Sequence, residues 1–254
     1  MIIVCLIMVL NTGNINAGWS ETFETAAEPT AALSLTSDMT WNWWGWGVAS
    51  VADGYLTFVG GEDPISGENT SWLKIDQSFD ANAEITPSAT EIYVKARFMT
   101  TGTPTQNDQL HVCVKIDPAF LTNLAVHTVA SVGGAIGDFW FGTNTSTVVP
   151  NAAVTYGTWH WQKIVVDGQN VSVTAWADGE VMPDTASYSF EALTTAEAPM
   201  LIIVGVTDDD SSSIQIDELW YNERPAGLGI SDEAPIASRY ELGQNYPNPF
   251  NPTT

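Results

Sequence analysis

The stretch WHWQKIVVDGQNVSVTAWADG, residues Trp159 to Gly179, decides the fold. Two runs in which apolar and polar residues alternate flank the tetrapeptide Asp167-Gly168-Gln169-Asn170. An Asp-Gly pair between alternating runs predicts an antiparallel hairpin with a type I′ turn, because that turn requires positive φ angles. The pair Asp178-Gly179 is expected to close the second strand in the same way.

The same period of two continues on both sides of this hairpin. One face of Glu91 to Met99 carries Ile92, Val94, Ala96 and Phe98, and one face of Leu110 to Asp117 carries Leu110, Val112, Val114 and Ile116. The almost wholly apolar run Leu201 to Thr207 predicts a strand that is buried on both faces. In the run Ile214 to Tyr221, we expect Ile214, Ile216 and Trp220 to point into the core and Asp217 to point away from it.

Shorter strands are expected at Trp19 to Glu24, Tyr55 to Val59, Trp72 to Asp76 and Phe139 to Phe141. No long stretch has a helical period, although short helical turns are possible near Ala119 to Leu124. About a dozen strands separated by turn residues predict an all-β fold, a two-sheet antiparallel jelly-roll sandwich.

The charge excludes some classes of partner. Seven basic and 30 acidic residues give a net charge of 7 − 30 = −23 over 254 residues. The chain has no surplus of cations with which to neutralise phosphates. We therefore expect neither a nucleic acid nor an anionic membrane surface as a partner. Apolar residues make up 44% of the chain, which is enough for one sizeable core. Two cysteines cannot form a disulfide framework, and Cys113 is expected to be a half-buried small hydrophobe.

The first residues have the character of a secretory signal. The apolar run MIIVCLIMVL at Met1 to Leu10 is too short for a bilayer, which needs roughly 20 residues. It fits the apolar segment of a signal peptide over residues 1–17, with cleavage after Ala17. No Lys or Arg precedes the apolar run, which leaves open a true start upstream of Met1. The jelly roll is then expected over 18–221, followed by a linker at 222–239 that is rich in Pro, Gly, Ala and acidic residues.

The last residues, YELGQNYPNPFNPTT from Tyr240 to Thr254, resemble the opening of the C-terminal sorting domain of type IX secretion cargo proteins. The residues that match position by position are Leu242, Gln244, Asn245, Tyr246, Pro247, Asn248, Pro249, Phe250, Asn251 and Pro252. The resemblance implies export by the type IX machinery through the periplasm, to the outer cell surface or beyond it. We expect residues 240–254 to be the truncated start of such a domain.

The body of the chain resembles the concanavalin A-like lectin/glucanase jelly roll, a fold that includes laminin-G-type modules. The similarity lies in Trp19 to Glu24, Asp53-Gly54-Tyr55-Leu56, the hairpin Trp159 to Gly179 and the closing strand Ile214 to Tyr221. It covers residues 19–221 and is less specific than the sorting motif. It implies the jelly-roll fold and, for many members, a carbohydrate ligand.

Two kinds of catalysis occur on the resembled fold. Retaining hydrolases use two carboxyls about 5 to 5.5 Å apart, but the chain has no Glu-x-Asp-x-Glu run, and Glu218 and Glu223 lie in the wrong element. Some lyases of this fold resemble Gln109-Leu110-His111, with His111 as base and Arg97 neutralising a uronate. The Tyr-x-Lys-x-Gly strand that would supply the acid is missing. We therefore assign no catalytic residue.

Aromatic and basic side chains on polar strand faces favour a carbohydrate-binding surface. Rings stack on sugar faces, and cations pair with uronate or sulfate groups. The candidate ligand-binding residues are Tyr93, Lys95, Arg97, His111, Lys115, Trp159, Trp161 and Trp176. The competing interpretation places the tryptophans in the core and the basic residues in cross-strand ion pairs. Trp41, Trp43, Trp44 and Trp46 form a second aromatic cluster, which is either a sugar platform or core.

A structural calcium ion is the expected cofactor. In the resembled fold such an ion commonly ties the first strand to the last, which implies Glu24, Asp53, Gly54 and Asp217 as ligands. Calcium takes carboxylate and backbone oxygens, and it would relieve repulsion in an acidic protein. The loop Asp208 to Asp210 is a second candidate site.

The sequence therefore predicts a secreted or cell-surface, non-catalytic glycan-binding or adhesion module. The expected partners are an extracellular polysaccharide and the type IX export machinery, with no transmembrane helix in the mature chain. Two alternatives stay open: a polysaccharide lyase or glycoside hydrolase of the same fold, and a purely structural surface domain.

Overall fold

The chain is an all-β jelly roll, as the alternating pattern predicts. The computed structural model describes the following ranges of the chain: 19–23, 33–34, 40–45, 47–62, 69–75, 90–103, 108–115, 124–138, 147–192, 200–207, 211–222, 224–225 and 227–228. None of these residues is helical, so the described part of the chain contains no membrane-spanning helix.

Sixteen strands follow one another along the described residues. They are β1 (Trp19–Glu21), β2 (Leu33–Ser34), β3 (Thr40–Gly45), β4 (Gly47–Ala52), β5 (Tyr55–Glu62), β6 (Asn69–Ile75), β7 (Thr90–Thr100), β8 (Gln109–Lys115), β9 (Leu124–Ser131), β10 (Ala135–Asp138), β11 (Thr147–Pro150), β12 (His160–Asp167), β13 (Asn170–Ala177), β14 (Tyr188–Glu191), β15 (Met200–Thr207) and β16 (Ser212–Tyr221).

The strands form two antiparallel sheets. Sheet A has the order β4-β5-β16-β7-β12-β13-β14, and β1 pairs with the end of β16. Sheet B has the order β11-β10-β9-β8-β15-β6-β3-β2. Strand β5 joins the two sheets, because Gly61 and Glu62 at its end pair with Thr70 and Asn69 of β6.

The core lies between the sheets and contains the apolar faces that the sequence predicts. On β7 of sheet A, Ile92, Val94, Ala96 and Phe98 are fully buried, and on β8 of sheet B the inward set includes Leu110, Val112 and Val114. The layers are in close contact where Gly205 of β15 passes Phe58 and Ile214, since a Cβ at Gly205 would lie 3.1 Å from the Cβ of Phe58. Burial of this continuous apolar surface is the main stabilising contribution to the sandwich.

The predicted hairpin is confirmed, but its turn differs from the expected type. Strands β12 and β13 pair from His160↔Ala177 to Asp167↔Asn170. Of the two central turn residues only Gly168 has a positive φ, 59°, which is the pattern of a type II′ turn rather than type I′. The type I′ pattern occurs instead between β4 and β5, where Asp53 and Gly54 have φ angles of 56° and 79°.

Strand β16 contains a β-bulge that alternation could not reveal. Its pairing with β7 shifts between Ile216 and Glu218, so Asp217 is the additional residue. Beyond a bulge the inward and outward positions exchange. Ile214 and Ile216 are in the core as predicted, but the next core residue is Leu219, and the prediction for Trp220 is wrong.

Some sequence predictions fall on residues that are not described. Residues 116–123, 139–146 and 208–210 lie outside the described ranges, and so do Trp46 and both terminal segments. Strands β9, β10 and β11 were not predicted, and Leu124 begins β9 rather than ending a helical turn. Part of the predicted linker is described: Pro225 is buried and Leu228 packs against sheet A.

Candidate functional site

The candidate site lies on the outer face of sheet A, where strands β5, β16, β7, β12 and β13 run side by side. Ala96 of β7 pairs with His160 on one side and Ile216 on the other, and these three residues face the core. Because side chains alternate along a strand, Lys95 and Arg97 point to the opposite, outer face.

Arg97 is held in a fixed orientation by three neighbours. Its Nε donates a hydrogen bond of 2.7 Å to Oε1 of Gln215, the residue that pairs with it on β16. Its Cζ lies 4.3 Å from the ring centroid of Trp159 and 5.2 Å from that of Tyr55. The two ring centroids are 5.4 Å apart, so the guanidinium lies within cation–π distance of both rings. We call Tyr55, Lys95, Arg97 and Trp159 the basic–aromatic patch.

Lys95, by contrast, is surrounded by carboxylates. Its Nζ lies 3.0 Å from Asp217, 3.2 Å from Asp178 and 3.7 Å from Glu218. Burial on its own would lower the pKa of Lys95, but the hydrogen bonds to Asp217 and Asp178 outweigh it and raise the pKa. The bulge creates this arrangement, because it places two consecutive acidic residues of β16 on the lysine.

Three predicted ligand residues form a closed cluster rather than an open surface. Tyr93, Trp161 and Trp176 are 1%, 3% and 4% exposed, and the two indoles stack with centroids 6.2 Å apart. Met182, Trp220 and Leu228 pack against them. A ring that is covered in this way offers no face to a sugar, so the competing interpretation of these tryptophans as packed residues is the correct one for Trp161 and Trp176.

A second ion pair lies beside this cluster. Lys163 Nζ is 2.9 Å from Glu91, and the Tyr93 hydroxyl donates to the same carboxylate at 2.8 Å. Burial on its own would raise the pKa of Glu91, but the hydrogen bonds from Lys163 and Tyr93 outweigh it, and the pKa is lowered. Burial and the neighbouring Glu91 charge both raise the pKa of Tyr93.

His111 lies on the other side of the molecule. It belongs to β8 in sheet B, next to the inward-facing Leu110 and Val112, so it points to the outer face of that sheet. Its Nδ1 is 2.8 Å from Nε2 of His127, and its Nε2 is 2.9 Å from Oε1 of Gln109. Burial lowers the pKa of His111 to about 4, so the imidazole is neutral at physiological pH.

The prediction of a lyase site formed by His111 and Arg97 is wrong, because the two side chains lie on opposite outer faces of the sandwich. Arg97 projects from the outer face of sheet A and His111 from that of sheet B, with the core between them. No single substrate carboxylate and its acidic proton could reach both groups. The predicted ligand set is divided in the same way, and the side chain of Lys115 on β8 lies outside the described residues.

The proposed calcium ligands do not form a recognisable site. Asp217 has the Lys95 ammonium at 3.0 Å, where a bound cation would need to be. Asp53 and Gly54 form the exposed β4–β5 turn, and Glu24 lies outside the described ranges. Among the residues that the structure describes, no three acidic, histidine or cysteine side chains are grouped to hold a metal ion. The available donors therefore do not fit a calcium ion at Asp217.

The sequence does not predict three residues of the site. Tyr55, Gln215 and Asp178 contact the predicted cations, yet they come from strands or turns far away in the chain. The only local signal was that Gln215 occupies an outward position of β16. The side chains of Trp41, Trp43 and Trp44 on β3 are not described, so that cluster stays a prediction.

Comparison with known proteins identifies the fold. No protein-family model matches the chain, and no curated protein matches its sequence. Among solved structures, the chain is similar to the exoplasmic/lumenal domain of VIP36 in its Ca2+/Man2-bound form, with a TM-score of 0.52, 9% identity and coverage of 80% of this chain and 88% of that one. The Ca2+-bound form of the same domain gives a TM-score of 0.50 and 9% identity over 71% and 82% of the chains.

A second kind of neighbour shares the architecture. The β-glucanase of Bacillus licheniformis has a TM-score of 0.52 and 9% identity, over 84% of this chain and 100% of the glucanase. Identities this low establish only the fold. The chain therefore has the jelly-roll fold that is shared by lectins and glucanases, as its strand pattern predicts.

Proposed function

We propose that the chain is a glycan-binding module whose ligand lies on the outer face of sheet A. The observation that carries this proposal is the position of Arg97, whose guanidinium is stacked at 4.3 Å on Trp159 and oriented by Gln215. Aromatic rings next to a fixed hydrogen-bond donor are what a sugar ring and its polar substituents require. The jelly-roll fold is shared with the Man2-bound VIP36 domain and with the β-glucanase above, which supports the same class of ligand.

The module acts by binding rather than by catalysis. Around the basic–aromatic patch, the carboxylates of Asp178, Asp217 and Glu218 all lie within 3.7 Å of Lys95. Each of these carboxylates is already engaged by the same ammonium, so they do not form the free acid and nucleophile pair that a retaining hydrolase needs. With the lyase pair separated as well, binding without turnover is the simplest function of this surface.

Export is part of the proposal. The signal-like residues 1–17 and the sorting motif at 240–254 both favour type IX secretion to the cell surface or the medium. Both an adhesin on the cell surface and a polysaccharide-binding protein retained there would fit this location. Sequencing the mature N-terminus of secreted protein tests it, and a mature chain that begins at Met1 would contradict the signal peptide.

Calcium also remains a proposal. VIP36 has Ca2+-bound forms of similar fold, and the acidic composition favours a divalent ion. Any such ion would take oxygens near Glu24 and the Asp53-Gly54 turn, without Asp217.

The function is tested with a glycan array, combined with a reducing-sugar assay and absorbance at 232 nm for unsaturated products. Binding of defined glycans without any turnover is the expected result. Turnover would instead favour the lyase or hydrolase alternative. If a correctly folded protein shows neither binding nor turnover, the purely structural role is the alternative that remains.

A further inference from the structure

Three cations of strands β7 and β12 point to the outer face of sheet A, and their neighbours differ. Lys95 contacts three carboxylates and Lys163 contacts Glu91. Arg97 has no ion pair within the described part of the chain, and its one hydrogen bond goes to the neutral amide of Gln215. In a chain with 7 basic and 30 acidic residues, a half-buried guanidinium that keeps an unneutralised charge is unusual.

The guanidinium of Arg97 is also oriented before a ligand binds. A guanidinium has five N–H donors, of which Nε is used by Gln215, and the terminal nitrogens retain the rest. Stacking on Trp159 and Tyr55 fixes the plane of the group. An arginine oriented before binding loses little further entropy when it binds, and its fork matches the two oxygens of a carboxylate.

The surroundings restrict how much negative charge a ligand can bring. Lys95 contacts the carboxylates of Asp178, Asp217 and Glu218, and together with Arg97 these five side chains carry a charge of 2 − 3 = −1. At physiological salt, charges within about 8 Å still interact strongly. A densely sulfated or phosphorylated chain would be repelled by these carboxylates, whereas one carboxylate at a time could reach Arg97.

We infer that the basic–aromatic patch recognises a carboxylated sugar, a uronic acid residue of a polysaccharide. Its carboxylate pairs with the terminal nitrogens of Arg97, and its ring lies beside Trp159 and Tyr55. The inference rests on the proposed glycan-binding function and specifies its ligand class.

The test uses matched pairs of oligosaccharides in isothermal titration calorimetry. Oligogalacturonate, oligomannuronate and hyaluronan oligosaccharides are each compared with the same oligosaccharide after its carboxyl groups are reduced to alcohols. We expect wild type to bind at least one carboxylated probe about tenfold or more tightly than its reduced counterpart, as a charge-assisted bidentate contact implies. Arg97→Gln should remove that difference, and Arg97→Lys should restore only part of it.

Lys163→Gln is the matched control, since it removes a cation from the same face that is already paired with Glu91. It should preserve the preference for the carboxylated probe, and melting temperatures confirm that each variant is folded. If wild type binds both members of every pair equally, or if Arg97→Gln keeps the preference, the inference is overturned while glycan binding itself stands. If wild type binds no probe of either kind, the inference also fails, and the glycan array then decides the proposed function separately.

Discussion

The ammonium of Lys95 lies 3.0 Å from the carboxylate of Asp217, and a β-bulge brings Glu218 to the same ammonium at 3.7 Å. In a regular strand Asp217 would point outward opposite Lys95 and Glu218 would point into the core, whereas the bulge places both on the outer face. The predicted metal ligand Asp217 is therefore part of an ion-pair network. The same shift moves Leu219 into the core and Trp220 onto the outer aromatic cluster.

Removal of the Lys95 charge should destabilise the protein. The change Lys95→Met keeps the apolar stem but leaves three carboxylates facing one another, so we expect the free energy of unfolding to fall by about 1 to 2 kcal/mol. Urea denaturation measures the change. Lys163→Met is the control, because it removes one ion pair from Glu91, which keeps its hydrogen bond from Tyr93, and it should cost less than about 1 kcal/mol. Equal effects of the two changes would contradict the network.

The buried His160 should make the fold sensitive to acid. Burial lowers its pKa to about 4, against 6.5 in the unfolded chain. The unfolded state therefore binds the proton first, so this stability is complete above pH 6.5 and is lost as the pH falls through 4. The loss is roughly 3 kcal/mol. His160→Leu should reduce the slope of the unfolding free energy against pH between 6.5 and 4, with the buried His111 still contributing. An unchanged slope would show that His160 does not titrate in this way.

The nearby buried Gln162 should tolerate an apolar residue at neutral pH. Neither polar atom of its side-chain amide has a hydrogen-bond partner in the described ranges. Buried polar atoms without partners cost about 1 to 3 kcal/mol each. Gln162→Met, which keeps the length of the side chain, should therefore raise the melting temperature at pH 7. A clear decrease would mean that this amide is hydrogen-bonded in solution.

Calcium, if it binds, should act independently of Asp217. Thermal melts with calcium and with chelator should differ by the same amount in wild type and in Asp217→Asn, because Lys95 already neutralises that carboxylate. Asp53→Asn is the comparison variant at the β4–β5 turn. A calcium effect that disappears only in Asp217→Asn would restore Asp217 as a ligand.

The sequence predicts the sandwich well, because alternation depends only on neighbouring residues. The core faces of β7 and β8 follow directly from that period. The bulge at Asp217 could not be predicted, since it is defined by the register against β7, which is far away in the chain.

The site was only partly predictable for the same reason. Lys95, Arg97 and Trp159 could be placed on a polar face, but Tyr55 reaches them only because β16 lies between β5 and β7. The burial of Trp161 and Trp176 depends on Met182 and Leu228, which come from segments without any period. A strand pattern indicates which way a side chain points, but it does not reveal what covers the side chain.

The central claim is that glycans bind the outer face of sheet A, and titration calorimetry of the strongest array ligand against Trp159→Ala tests it most directly. Gln109→Ala, on the outer side of sheet B, is the matched control. We expect Trp159→Ala to weaken binding by about tenfold or more, through loss of stacking and of the support for Arg97, and Gln109→Ala to bind as wild type does. Unchanged affinity in Trp159→Ala together with a loss in Gln109→Ala would contradict the account and place the ligand on the opposite sheet.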